Sequence, residues 1–134
     1  MEIMELNYWA VLLAALSSFM LGGIWYSPWL FGRLWMEGCG LTNVDLKNSD
    51  PKIVFGVILF LSLFIAFSMA LILGRDPLLS EAVVFASMAG LGFVCTTFGI
   101  SYIFEQRPLK LFLINGGYHF IQFILNAVVL SLIG

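Results

Sequence analysis

Four residues near the C-terminal end carry side chains that could do chemistry: Asn115, His119, Gln122 and Asn126. Their offsets of 0, 4, 7 and 11 place them within a sector of roughly 60° on a helix turning about 100° per residue. Three amides and an imidazole in one row offer hydrogen-bond donors and acceptors without fixed charge. His119, the only histidine, titrates near neutral pH, so it is the candidate proton acceptor or pH sensor. The bland alternative is a neutral imidazole bonded across to a neighbouring helix. No Cys, His, Asp or Glu cluster accompanies it, so neither a metal site nor a cofactor is expected. The chain has no G-x-S-x-G, no H-E-x-x-H, no phosphate-cradling glycine loop and no carboxylate pair within an apolar segment. It is therefore not expected to be an enzyme.

The element that must carry this row is the segment 109–133, long and apolar enough to cross a bilayer. The rest of the chain has the same character. Of its 134 residues 61% are hydrophobic and 10% charged, the net charge is -2, and the mean hydropathy is +1.02. Soluble domains hold about 25% charged residues, so the composition is that of an integral membrane protein, with the lipid bilayer as its main surroundings. No basic run invites nucleic acid.

Three further spans are expected at about 7–26, 53–73 and 81–104. The first starts without a basic n-region and is followed by no small-residue cleavage pattern, so it reads as a retained helix. Aromatic residues mark its two ends (Tyr8 and Trp9; Trp25 and Tyr26), and Ser18 and Gly22 form a small-residue pair that lets another helix approach. Pro28 ends it, and the aromatic stretch from Trp29 to Gly38 reads as a short interfacial helix. Thr42–Asp45 can cap a helical turn, and Asp50–Pro51 reads as the cap and first position of the second span. That span looks the most lipid-exposed. Ser80 before Glu81 reads as the start of the third. Cys39 and Cys95 fall at different depths and are expected as free thiols.

Short connections predict an all-α membrane protein: four transmembrane helices in a compact antiparallel bundle. The connections after the first and third spans hold Arg33, Lys47, Lys52, Arg107 and Lys110, and the other side holds only Arg75. The excess predicts those connections in the cytoplasm, with both termini outside a bacterial inner membrane. Glu105, Arg107 and Lys110 form either a solvated turn or a polar mouth, with Glu105 pairing to Arg107, Lys110 or Arg33. The third span carries Thr96, Thr97 and Ser101, expected to face the polar row.

Two stretches carry a likeness. One runs from Asn7-Tyr8-Trp9 through Gly22-Gly23-Ile24-Trp25-Tyr26-Ser27-Pro28 to Trp35-Met36. The other runs from Tyr102-Ile103-Phe104-Glu105 through Leu109-Lys110 to Gly116-Gly117-Tyr118-His119. Together they resemble the small bacterial membrane proteins grouped as domain of unknown function 1761. The resemblance implies four spans and transfers no activity.

The leading functional expectation is a structural or interaction protein, acting as a homo-oligomer or as a subunit beside another membrane protein, with the row as its association surface. The alternative is a small transporter or channel whose path uses the row. A water-filled groove along it would favour transport; a dry row bonded to Thr96, Thr97 and Ser101 would favour association.

Overall fold

The computed structural model describes residues 5–133. Four helical spans are long and apolar enough to cross a membrane: Tyr8–Trp25, Pro51–Leu73, Leu79–Phe104 and Leu109–Ile133. The shortest has 18 residues, about 27 Å at 1.5 Å per residue, close to the hydrocarbon thickness. The protein is a multi-pass, four-helix membrane bundle with no strand among the described residues.

Helix α1 (Tyr8–Trp25) starts at Asn7, whose side-chain oxygen accepts from the Trp9 and Ala10 amides. After Pro28 the chain folds back into α2 (Gly32–Cys39). A Cβ at Gly32 would sit 2.5 Å from the Tyr26 carbonyl oxygen, so only glycine fits this fold-back. The short α3 (Asn43–Asn48) carries the expected cap: Thr42 and Asp45 bond reciprocally, and these bonds hold the exposed Asp45 carboxyl below its ordinary pKa. Helix α4 (Pro51–Leu73) begins with Asp50 as cap and Pro51 in the first turn, as the sequence predicts.

The third span starts two residues earlier than Ser80–Glu81 suggests. Leu78, just after Pro77, is the N-cap and contributes no side-chain bond. This span has three parts: α5 (Leu79–Ser87), a π-helical stretch (Met88–Cys95) and α6 (Thr96–Phe104). The tight turn at Glu105–Pro108 leads into α7 (Leu109–Ile133).

Helices α1 and α7 lie side by side at the centre; α4 packs on α1, and α5 with the π-helical stretch packs on α7. The third span therefore has one main neighbour. Over their most apolar windows 17% of the third span's residues and 22% of the second's are buried, so the second span shares its exposure with the third.

At the end near Asn7 and Ile133 the helices meet through small side chains. Ala10, Ala14, Ala15, Ala66, Ala70, Ala82, Ala86 and Ala127 are all buried there, which lets the backbones approach closely. The Asn7 amide donates to the Ile133 carbonyl at 3.3 Å and Ser131 donates to the Pro77 carbonyl at 2.9 Å, closing that end. At the opposite end Lys110 pairs with Glu37 at 2.9 Å, tying α7 to α2.

Candidate functional site

Helix α7 presents the polar row, and α1 is shaped to receive it. Gly22 leaves room for the Tyr118 ring, whose hydroxyl oxygen would lie 3.0 Å from a Cβ there. That hydroxyl donates to the Ser18 carbonyl at 2.9 Å. The expected Ser18–Gly22 approach site is thus occupied by α7. Reciprocally, Trp25 lies against Gly117, and its indole N–H donates to the Ile114 carbonyl at 3.0 Å.

The four residues of the row meet different surroundings. Asn115, half-buried, bridges two helices: its Oδ1 accepts from the Tyr26 hydroxyl at 2.7 Å, and its Nδ2 donates to the Tyr102 hydroxyl at 2.8 Å. His119 stacks on Phe98 with centroids 5.3 Å apart and 14° between planes. Its Nδ1 lies 2.8 Å from Gln122 Oε1. A carbonyl oxygen only accepts, so Nδ1 carries the proton and Nε2 of the neutral ring keeps its lone pair. Gln122 is buried. Asn126 is fully buried, and neither polar atom of its side chain has a partner among the described residues.

Asn115, His119 and Gln122 line a cavity of about 810 Å³. Its other walls are the second half of α1, Trp35 on α2, Leu46 on α3 with Ser49 just after it, Phe98 on α6, and α4 between Pro51 and Ile65. Most of the lining is apolar, and among the described residues no Lys, Arg, Asp or Glu contributes to it. A largely apolar pocket with a few convergent polar groups is the usual form of a small-molecule site. Asn126 lies outside this lining, one turn further along α7 toward the alanine-packed end.

Thr96, Thr97 and Ser101 do not meet the row. All three are exposed. Thr96 Oγ1 donates to the Gly92 carbonyl at 2.8 Å and Thr97 Oγ1 to the Val94 carbonyl at 2.7 Å, both on their own helix. The π-helical stretch is the reason. The face turned to α7 runs Ala82, Ala86, Gly90, then Cys95, a step of five residues where an α-helix takes three or four. A π turn absorbs about one extra residue, so the face continues through Phe98 and Tyr102, each one position beyond Thr97 and Ser101. Cys95 confirms the new phase: its thiol donates to the Gly116 carbonyl at 3.3 Å.

At the charged turn Glu105 pairs with Arg107 at 2.6 Å, and the carboxylate beside it raises the guanidinium's pKa. Lys110 pairs with Glu37 on α2 instead. None of the three lines the cavity. Cys39 and Cys95 are both free thiols; partial burial pushes the Cys39 thiol above its ordinary pKa, against the lowering effect of Arg107. Among the described residues no group of three His, Cys, Asp or Glu side chains could hold a metal ion.

The sequence does not mark Tyr26, Tyr102 or Phe98 for this site, nor Ser62 on α4, which also lines the cavity. The tyrosines carried one usable signal: a hydroxyl at a buried helix contact needs a partner, and Asn115 and Ser18 lie where those partners are needed.

No curated protein and no solved structure matches the chain. A family model does, that of the protein of unknown function DUF1761, over residues 9–131, and with nearly its whole length matched the chain belongs to that family.

Proposed function

We propose that this is a bacterial inner-membrane protein that takes a membrane-soluble small molecule into the cavity beside α7, the binding step of a small transporter. One observation carries the reading: the row of Asn115, His119 and Gln122 opens onto a cavity of about 810 Å³ within one chain. Volumes of about 300–1,000 Å³ suit a single small ligand. Helix α4 supports a route in from lipid. From Pro51 to Leu61 it has no buried residue, yet Val54, Phe55 and Ile58 form the cavity wall.

The test is native mass spectrometry of protein released from nanodiscs. The wild type is expected to carry a bound small molecule that Gly23→Trp, which projects into the cavity where a Cβ meets nothing within 4 Å, does not retain. Equal occupancy in the two proteins, or no bound molecule in either, would remove the reading. The same spectra give the oligomeric state. Association with a second copy or another membrane protein would use a surface other than the buried Gln122 and Asn126. Helix α6 and the π-helical stretch favour themselves for it, because Gly92, Thr96 and Ser101 lie exposed there.

The charge excess supports α2, α3 and the Glu105–Pro108 turn on the cytoplasmic side and both termini outside. An impermeant maleimide should label Cys39 in inside-out vesicles and not in right-side-out ones. Because burial raises the Cys39 thiol pKa, labelling is slow at neutral pH and speeds up as the pH rises. The reverse sidedness would invert the topology.

A further inference from the structure

Serines within apolar helices commonly satisfy their hydroxyls on their own helix; among the described residues Ser80 and Ser101, both exposed, make no such bond, and four others do. Ser17 donates to the Leu13 carbonyl at 2.7 Å, Ser18 to Ala15 at 3.1 Å, Ser68 to Phe64 at 2.8 Å and Ser87 to Val83 at 2.8 Å. Ser62 on α4 makes none either. It is 2% exposed, its hydroxyl has no partner among the described residues, and it lines the cavity.

Two more unpartnered groups line the same cavity from α7. Gln122, also 2% exposed, uses Oε1 for His119, which leaves its amide N–H groups unpaired among the described residues. His119 uses Nδ1 for Gln122, which leaves Nε2 without a partner among the described residues; in the neutral ring that nitrogen is an acceptor. A buried polar group without a partner costs about 1–3 kcal/mol. Ser62 and Gln122 are buried and His119 is half-buried, and three unused polar groups on residues that line one cavity point to a ligand that completes them.

The combination selects the ligand's chemistry. The unused groups comprise an acceptor (His119 Nε2), a donor (the Gln122 amide) and a hydroxyl able to do either (Ser62). A hydroxyl head group answers all of these, donating one proton and accepting at its oxygen. A carboxylate or phosphate would be desolvated in a lining without a cation, and it could not donate to Nε2. An ammonium would find aromatic faces but no carboxylate. A pure hydrocarbon would leave the polar groups unanswered.

We propose that the cavity binds an uncharged lipid alcohol, with the hydroxyl held between His119 and Gln122 on α7 and Ser62 on α4, and the apolar body against the first half of α4. This rests on the cavity being a binding site.

Trp35 lines the cavity and reports occupancy. Four brominated probes of equal chain length would be titrated into the protein in nanodiscs: an alkanol, an alkanoate, an alkyltrimethylammonium and a bromoalkane. A Trp35→Phe protein gives the background quenching. The expected result is saturable quenching by the alkanol, tighter than by the other three. Ser62→Ala and His119→Phe should each weaken it roughly three- to tenfold, the loss of one hydrogen bond, with thermal unfolding of both variants checked in parallel. If another probe binds as tightly, or neither variant weakens the alkanol, the head-group assignment fails while the cavity reading stands. If no probe gives a saturable component beyond the Trp35→Phe background, both fail.

Discussion

The two ends of the bundle are built on opposite principles. At the end near Asn7 and Ile133 four helices meet through alanines, and the buried cluster of Leu6, Val11, Met69 and Leu130 fills what remains. At the other end the aromatic residues Tyr26, Trp35, Phe98 and Tyr118 line a cavity instead of filling a core. Small residues close one end because their backbones can touch; at the other, large rings and the exposed first half of α4 border open space. The comparison teaches where change is tolerated: the alanine end should hold the fold, and the aromatic end should adapt to what it binds.

The largest expected effect tests that division directly. Ala14 is fully buried among close helices, so Ala14→Leu inserts a side chain where no space exists. Overpacking of this kind costs about 1–3 kcal/mol, and more where backbones must separate. Gly23→Leu makes a larger change nine residues on in the same helix, at a position where a Cβ meets nothing within 4 Å. Thermal unfolding in detergent should fall sharply for the first and stay near wild type for the second. Comparable losses would mean that the cavity end is as tightly packed as the other.

A smaller effect sharpens the comparison within the polar row. Asn126 is sealed beside the alanine end with both side-chain polar atoms unpaired among the described residues, whereas Gln122, one turn away, borders the cavity. Asn126→Leu removes an unanswered amide of similar size and should raise stability by about 1–2 kcal/mol. It should leave probe binding unchanged. A loss of stability would mean that Asn126 has a partner at this end in the membrane.

Much of the fold was legible in advance. The apolar runs and their breakers located all four spans, because backbone groups in hydrocarbon must be satisfied within a helix. The Thr42–Asp45 cap, the Asp50–Pro51 start and the close approach at Ser18–Gly22 follow from local chemistry. The third span was less legible. Ser80 before Glu81 suggests its start, but the helix begins at Leu79, with Leu78 as the N-cap just after Pro77. Its small and hydroxyl residues offer Thr96, Thr97 and Ser101 as the inner face, whereas the π-helical stretch turns Cys95, Phe98 and Tyr102 inward.

By itself the sequence determined which segments cross the membrane, which face of α7 is polar, and that this face carries no fixed charge. These depend on residue type and on a regular helical period. Only the tertiary structure decided what the polar face meets. The contact between α5 and α7 goes with one extra residue in the third span, and the first half of α4, without a buried residue from Pro51 to Leu61, borders the space beside Gln122. A period describes one helix, whereas a cavity depends on how closely four helices approach.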